Sequence, residues 1–206
     1  MKKIIGILIS LLCSLAAFSQ TPEEILDRME KVIDQHQNDG VYMIIDLKLP
    51  IVGTLSTKTW VYGEKMRAVA KVAGVEVTTW LNETTQWVYN AKNNELEITN
   101  RKEESSSTDG DIDMFVGLTE GYDLSVKDQT DKTWHILCKK SKSNKNKDDP
   151  KTIDIVVEKD SYNPRSLSTK MDGITFTMRD LSFNVTEKQV LFNPKDYADA
   201  TIIDKR

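Results

Sequence analysis

The side chains best suited to nucleophilic or metal chemistry in this chain are two histidines and, beyond the N-terminal segment, one cysteine. His36 stands at the end of a predicted helix, whereas His135 and Cys138 stand close together in a predicted strand. Their spacing matches neither a zinc site nor a nucleophile paired with a base, and the sequence has no glycine-rich phosphate loop or Gly-x-Ser-x-Gly elbow. We therefore predict no catalytic site, no metal site, no cofactor and no enzymatic activity. A pair of carboxylates brought together by folding stays open as an alternative.

The first 20 residues, MKKIIGILISLLCSLAAFSQ, have the three parts of a secretory signal. Two lysines precede an apolar run, and a small-x-small cleavage site ends just before Gln20. The apolar run, residues 4–17, is shorter than the ~20 residues that a membrane anchor needs, and Cys13 lacks the small preceding residue of a lipoprotein signal. The sequence predicts that residues 1–19 are removed on export to the periplasm and that residues 20–206 form a single domain.

Composition limits the partners and the redox chemistry of the exported chain. Loss of Lys2 and Lys3 leaves 26 of the 28 basic side chains against 32 acidic ones, a formal net charge of −6. Proteins that bind nucleic acid carry a basic face, so we predict no nucleic-acid partner. Only Cys138 remains, so the exported chain has no internal disulfide. We predict that this thiol is buried and inert rather than exposed and reactive.

The segment Thr21-Pro22-Glu23-Glu24 has the signature of a helix start. It offers a hydroxyl N-cap, a proline at the first helical position and a glutamate that closes a capping box. The predicted helix runs to about His36 and has a single apolar stripe, which consists of Ile25, Leu26, Met29, Val32 and Ile33. Such a helix packs on one side only.

Residues 55–100 contain five short alternating runs, which predicts a β-meander of four successive hairpins. The turns fall at Gly63, Gly74, Asn82 and Asn93-Asn94, residue types that adopt positive φ at low cost. With the alternating run before this stretch and those after residue 122, we predict a large antiparallel sheet of about 10 to 11 strands. The fold class is α+β.

Two features of the meander suggest what this sheet encloses. Three of the four tryptophans lie in residues 55–100 and give one face a high aromatic load. In the run that follows Gly63, Met66, Ala68 and Ala70 oppose Arg67, and such small residues fit either a closely packed helix or the wall of a cavity. Methionine suits an adaptable lipid pocket, but a face that helices cover completely would make the same residues ordinary core.

Two polar loops interrupt the strand pattern. Residues 101–113 are low in complexity and predict a mobile loop, and the apolar helix predicted at 114–118 either packs in the core or covers the open face of the sheet. Three aspartates here lack the glycine and glutamate positions of a calcium loop, so we predict no calcium site. Residues 139–149 are rich in lysine and predict a solvated hairpin tip or a surface for an acidic partner.

The sequence after residue 20 resembles the LolA-type periplasmic carriers of outer-membrane lipoproteins. The segment TWVYGEKMR (59–67) is similar to a strand-turn-strand of these carriers, and NETTQWVYN (82–90) to their Asp-Gly-x-x-x-Trp-x-Tyr-Asn segment. The tail looks like their Phe-x-Pro and terminal Val-x-Asp-x-Arg pattern. Those carriers have an Arg-Pro that governs lid closure and transfer, where this chain has Tyr62-Gly63-Glu64. The next arginine, Arg67, is predicted on the strand face opposite Met66, so we do not assign it this role.

The resemblance implies an open half-barrel with helices that lid its concave face and an apolar cavity for acyl chains. It also implies shuttling between an inner-membrane releasing complex and an outer-membrane acceptor. The residues that we expect to line the cavity are Met43, Ile45, Leu47, Trp60, Met66, Ala68, Ala70, Trp87, Met114, Phe115, Phe176 and Met178.

We therefore hypothesise a monomeric, non-enzymatic periplasmic carrier. It would hold the acyl chains of lipoproteins, or another lipid, and move them toward the outer membrane. The alternative is an interaction module of the cell envelope, in which the concave face is solid core and the loops 101–113 and 139–149 bind a partner protein.

Overall fold

The computed structural model of the chain describes residues 20–36, 38–101 and 119–206. The predicted signal segment and the predicted helix at 114–118 lie outside these residues. The helices are α1 (Pro22–Gln35) and α2 (Glu187–Val190), with a 3-10 helix at Pro194–Tyr197. The strands are β1 (Gly40–Leu49), β2 (Gly53–Tyr62), β3 (Lys65–Val72), β4 (Val75–Leu81), β5 (Thr85–Asn90), β6 (Glu95–Asn100), β7 (Tyr122–Gln129), β8 (Thr133–Lys140), β9 (Thr152–Glu158), β10 (Pro164–Met171), β11 (Ile174–Val185) and β12 (Thr201–Asp204).

All the described strands form one 12-stranded sheet in the order β12-β6-β5-β4-β3-β2-β1-β11-β10-β9-β8-β7. Neighbouring strands pair antiparallel, except that β12 runs parallel to β6. The predicted fold class, an α+β half-barrel with one large antiparallel sheet, is confirmed. The sheet has slightly more strands than the 10 to 11 expected. Within the described ranges, no helix has the length and apolar character needed to cross a membrane.

Helix α1 begins where its sequence signature predicts. The Thr21 hydroxyl accepts a hydrogen bond from the Glu24 backbone N–H at 3.2 Å, and the Glu24 carboxylate accepts one from the Thr21 N–H at 3.3 Å. This capping box satisfies two backbone donors that the first turn leaves without partners. Its stripe is almost fully buried, and its fully buried members are Ile25, Leu26, Met29 and Ile33.

The buried stripe of α1 belongs to one core with side chains from β1 and β8–β11, and residues of β7 pack against it. Six adjacent strands spaced ~4.8 Å apart span about 24 Å, roughly twice the diameter of a helix. Side chains from all six can share a core with one helix only if the sheet curves around it. The face that packs on α1 is therefore the concave face of the half-barrel.

The turns of the meander follow the sequence prediction with one exception. Gly63, Gly74 and Asn94 have φ values of 54°, 82° and 52°. Asn82 is not among the described residues with positive φ. It forms its turn through its side chain instead. Its side-chain oxygen accepts hydrogen bonds from two backbone N–H groups further along the turn, at 3.0 and 2.7 Å, which is an Asx turn.

After β11 the chain crosses the sheet again before its last strand. This segment, residues 186–200, which we call the C-terminal strap, contains α2 and the 3-10 helix. Helix α2 contacts β2 and β3, and Lys65 on β3 pairs with Glu187 at 2.5 Å. The sequence predicted the turn near residue 194 but not α2. The strap delivers the chain to the free edge of β6, where β12 adds to the sheet.

Candidate functional site

Cross-strand pairing divides the predicted cavity residues between the two faces of the sheet. In the β2–β3 hairpin, Thr59 pairs with Ala68 and Trp60 pairs with Arg67. Because successive residues of a strand point to opposite faces, Ala68 lies on the concave face and Trp60 on the convex face. Trp87 also lies on the convex face. The predicted residues on the concave face are Met43, Ile45, Leu47, Met66, Ala68, Ala70, Phe176 and Met178. Met114 and Phe115 lie outside the described residues.

The concave face beneath α1 is a closed core. Met43 is 5% and Met178 1% exposed, and both belong to the cluster around the helix. Ile45 and Phe176 are partly buried and pack against the same cluster. These four predicted residues therefore lie together, in or beside packed core. Leu47 continues the row on β1 and is half-buried.

The concave face of β2–β5 differs from the half beneath α1. None of its side chains carries a charge, whereas the convex face of the same strands carries five charged residues: Lys58, Lys65, Arg67, Lys71 and Glu76. No residue of these four strands belongs to the core around α1. We call the central part of the concave face of β2–β5 the concave strip. It consists of Thr57, Thr59, Val61, Met66, Ala68, Ala70, Val77, Thr79, Leu81 and Val88.

The concave strip has a low floor of small side chains. Ala68 lies between Thr59 and Thr79 in one cross-strand row, and Ala70 lies between Thr57 and Val77 in the next. All of these residues except the buried Thr59 are half-buried. Alanine and threonine fill less height above a sheet than the isoleucines and methionines beneath α1, so the strip leaves more room above it. An uncharged surface of this form suits contact with apolar groups better than with charged ones.

The sequence contained a signal for this surface that our residue selection did not use. A two-residue turn, Gly63–Glu64, fixes the pairing of β2 with β3. Counting outward from that turn in both directions pairs residue 59 with residue 68 and residue 60 with residue 67. Thr59 therefore lies beside Ala68, and Trp60 lies beside Arg67. The residues of the strip that sequence reasoning did not select are Thr57, Thr59, Val61, Val77, Thr79, Leu81 and Val88.

The aromatic side chains of the meander lie on the convex face, under the C-terminal strap. Phe192 stacks on Trp87 with ring centres 4.9 Å apart. Tyr197 lies 5.3 Å from the Trp80 ring and 4.6 Å from the Tyr89 ring, and burial raises the pKa of its hydroxyl. The chain itself therefore covers this aromatic face.

Arg67 is held within the same aromatic cluster. Its guanidinium lies 5.2 Å from the ring centre of Trp60 and 5.9 Å from that of Trp80, which are cation–π distances. Its Nε is buried and has no hydrogen-bond partner among the residues that the structure describes. Cross-strand pairing places Val61 beside Met66 and Trp60 beside Arg67, so the prediction that Arg67 faces away from Met66 is confirmed. Arg67 points away from the concave strip.

The histidines and the cysteine have packing partners. His36 stacks on Phe183 at 4.5 Å, and His135 Nε2 lies 3.0 Å from a carboxylate oxygen of Asp154. Cys138 is fully buried beneath α1, and burial raises the pKa of its thiol to about 12. The predicted buried, inert thiol is confirmed. In the part of the chain that the structure describes, no three or more His, Cys, Asp or Glu side chains are grouped to hold a metal ion.

A small cleft lies where the strap meets the edge of the meander. Its volume is about 100 Å³, well below the ~300 Å³ at which small-molecule sites begin. It is too small for an acyl chain, and it shares only Leu81 with the concave strip. Its lining consists of Lys65, Leu81, Asn82, Trp87, Val190, Leu191 and Phe192.

Comparison with solved structures shows the same fold in proteins of distant sequence. LprF from Mycobacterium bovis is 12% identical, with a TM-score of 0.51 over 85% of this chain and 99% of that one. The lipoprotein LppX from Mycobacterium tuberculosis is 14% identical, with a TM-score of 0.50 over 77% of this chain and 93% of that one. A LolA superfamily protein from Nitrosomonas europaea is 10% identical, covers 86% of this chain and all of that one, and has a TM-score of 0.34. No family model and no curated protein matches the sequence.

These comparisons define a class of fold and not an activity. The half-barrel shared with LprF and LppX is the fold that the sequence resemblance to LolA-type carriers implied. That implication is confirmed for the fold, which is an open half-barrel like that of LprF and LppX. At such low identity the likeness says nothing about cargo, so function has to be argued from the concave face itself.

Proposed function

We propose that this protein is a non-enzymatic carrier of the bacterial periplasm that holds acyl chains against the concave strip. One observation carries the proposal: the concave face of β2–β5 has no charged side chain and a low floor of alanine and threonine. Each methylene removed from water stabilises a bound lipid by ~0.8 kcal/mol. One partly buried acyl chain is therefore enough for reversible binding.

The cargo in this proposal is the acyl part of a lipoprotein, or another lipid, that moves toward the outer membrane. Support comes from the sequence resemblance to LolA-type carriers, from the secretory signal in residues 1–19 and from the half-barrel formed by the later residues. We include in the proposal an inner-membrane releasing complex as donor, an outer-membrane acceptor, and a monomer formed by residues 20–206. The switching arginine of the well-studied carriers has no counterpart on the strip, since Arg67 lies on the convex face. Release must therefore depend on other residues.

Native mass spectrometry of protein recovered from the periplasm tests the carrier directly. We expect bound acyl species that survive gentle ionisation and that lipid extraction identifies. The purified protein should also take up a fluorescent fatty acid. Absence of both bound lipid and probe uptake would overturn the proposal and favour the interaction module, whose lysine-rich loop would then be tested by replacement with a Gly-Ser turn.

A matched pair of substitutions on β3 locates the binding surface. Ala68→Trp fills the floor of the concave strip, whereas Lys71→Trp adds the same ring to an exposed position on the convex face. We expect Ala68→Trp to weaken probe binding at least tenfold and Lys71→Trp to leave it unchanged. Thermal unfolding of both variants checks that the fold persists. Equal binding by the two variants would show that the probe lies elsewhere.

A further inference from the structure

One rim of the half-barrel carries exposed apolar side chains at three neighbouring turns. Ile51 and Val52, at the tip of the β1–β2 hairpin, are 97% and 81% exposed. Val72, at the β3–β4 turn, is 50% exposed, and Met171 and Ile174, which flank the β10–β11 turn, are 45% and 39% exposed. Single exposed apolar residues are common, but a group of them marks a surface that meets something apolar.

These three turns are neighbours because of the strand order. The sheet runs β4-β3-β2-β1-β11-β10, so the β1–β2 tip stands between the other two turns. A Cβ atom added to Gly173 would lie 3.9 Å from Cγ of Pro50, which places the two turns side by side. The tip also projects beyond the β3–β4 turn, since the pairing of β2 with β3 begins only at Thr57 and Ala70.

A lysine precedes each of these turns. Because successive residues of a strand point to opposite faces, the lysines and the apolar side chains lie on opposite faces of the sheet. Lys48, Lys71 and Lys170 are exposed and lie on the convex side of the rim, whereas Val72 and Met171 lie on the concave side. None of the three lysines forms an ion pair with a described residue. The rim is therefore amphipathic, with an apolar inner lip and an outer lip whose three lysines outnumber the exposed carboxylates of Glu76 and Asp172.

The lysine-rich loop between β8 and β9 lies at the same rim. Within it, the side-chain amides of Asn144 and Asn146 donate to the carboxylate of Asp149 at 2.7 and 2.6 Å. This bonding orders the loop, in which Lys142 and Lys147 are exposed together with Asp148. The rim thus concentrates positive charge in a chain whose formal net charge is −4.

We propose that this rim docks on a bilayer that contains anionic phospholipid. The apolar turns are projecting tips rather than a groove, so they suit insertion between lipid headgroups better than capture of a peptide or helix. The lysines would meet the phosphates, where each one near an anionic surface strengthens binding roughly fivefold. The inner lip continues into the concave strip through Ala70 and Val77, so docking would bring the end of the strip to the lipid. The docking itself needs no cavity and is independent of the proposed cargo.

Vesicle flotation tests the docking with protein recovered from the periplasm, so that every sample has the same processed N-terminus. The vesicles contain phosphatidylglycerol with phosphatidylethanolamine, or phosphatidylcholine alone. We expect the wild type to float with the anionic vesicles, less at 0.5 M salt because screening shortens the reach of the lysines, and hardly at all with phosphatidylcholine. Failure to float with anionic vesicles overturns the proposal and leaves an acidic protein surface as the partner of the rim.

Two sets of variants separate the apolar and basic parts. Ile51→Asp with Val52→Asp should weaken flotation at least tenfold, whereas Ile202→Asp, at an apolar residue of the β12 edge that is 60% exposed, should not change it. Lys48→Gln, Lys71→Gln and Lys170→Gln together should remove most of the salt dependence, unlike the same change at Lys31, Lys188 and Lys195. Wild-type flotation by the Ile51 and Val52 double variant would overturn the insertion of the tips. All sites are exposed, and thermal unfolding checks that the fold persists.

Discussion

The two halves of the concave face are built on the same alternation but use different residues. Beneath α1 the sheet presents large side chains such as Ile136, Ile155 and Met178, each at most 1% exposed. Across β2–β5, eight of the ten positions of the concave strip hold alanine, threonine or valine, most of them half-buried. Hydrophobic alternation therefore does not distinguish a close-packed core from a half-buried face. Among the described residues, side-chain volume and the presence of a covering helix make the difference.

The largest expected effect contrasts one large-to-small change in each half. Ile155→Ala leaves a cavity in a fully buried site and should lower the free energy of unfolding by about 2–5 kcal/mol. Val77→Ala, on the half-buried strip, should cost less than about 1 kcal/mol, because the strip is not close-packed. Denaturant titration measures both. Similar losses at the two sites would show that the strip is packed core and would remove the distinction.

A moderate effect is expected from loosening the helix that closes the first half. Thr21→Ala removes the capping side chain and should cost about 1 kcal/mol of stability. Thr21→Ser keeps the hydroxyl and serves as the control. Amide hydrogen exchange in α1 should rise in the alanine variant only. Unchanged exchange in both variants would mean that the capping box contributes little to holding α1 on the sheet.

Thiol chemistry compares the two halves without a large change in stability. Cys138 lies beneath α1, and burial raises its pKa to about 12, so it should react with a disulfide reagent only when the core opens. A second thiol made by Ala68→Cys lies on the strip and should react at least a hundredfold faster at pH 8, because its thiolate is far more populated. The Lys71→Cys variant calibrates a fully exposed thiol. Equal rates at residues 68 and 138 would contradict the contrast between the halves.

The same raised pKa predicts that stability depends on pH at the alkaline end. The unfolded chain loses the Cys138 proton near its ordinary pKa of 9, whereas the folded chain keeps it up to about 12. Stability should therefore fall as the pH rises from 9 toward 12 and show no contribution from this group below pH 8. Comparison of wild type with Cys138→Ala, which has no thiol, isolates the effect. A parallel pH profile for the two proteins would contradict it.

Local sequence was sufficient for α1 and the strands of the meander, but not for α2. The capping box at Thr21, the glycines at 63 and 74 and the alternation of the strands act over a few residues, so α1 and the meander could be predicted closely. The two-residue turn at Gly63 also fixed the register of β2 with β3. That register separates Trp60 from Ala68, although our selection of cavity residues placed them on one wall.

Contacts between distant residues could be decided only by the tertiary structure. Nothing near Phe192 in the sequence indicates that it stacks on Trp87, nor that β12 runs parallel to β6. The same holds for Cys138, whose burial under α1 joins residues more than a hundred positions apart. Burial depends on which elements come to lie over a strand, and strand patterns do not encode this. The sequence by itself therefore determined most of the elements and the register of the β2–β3 hairpin, and the fold determined which half of the concave face α1 covers.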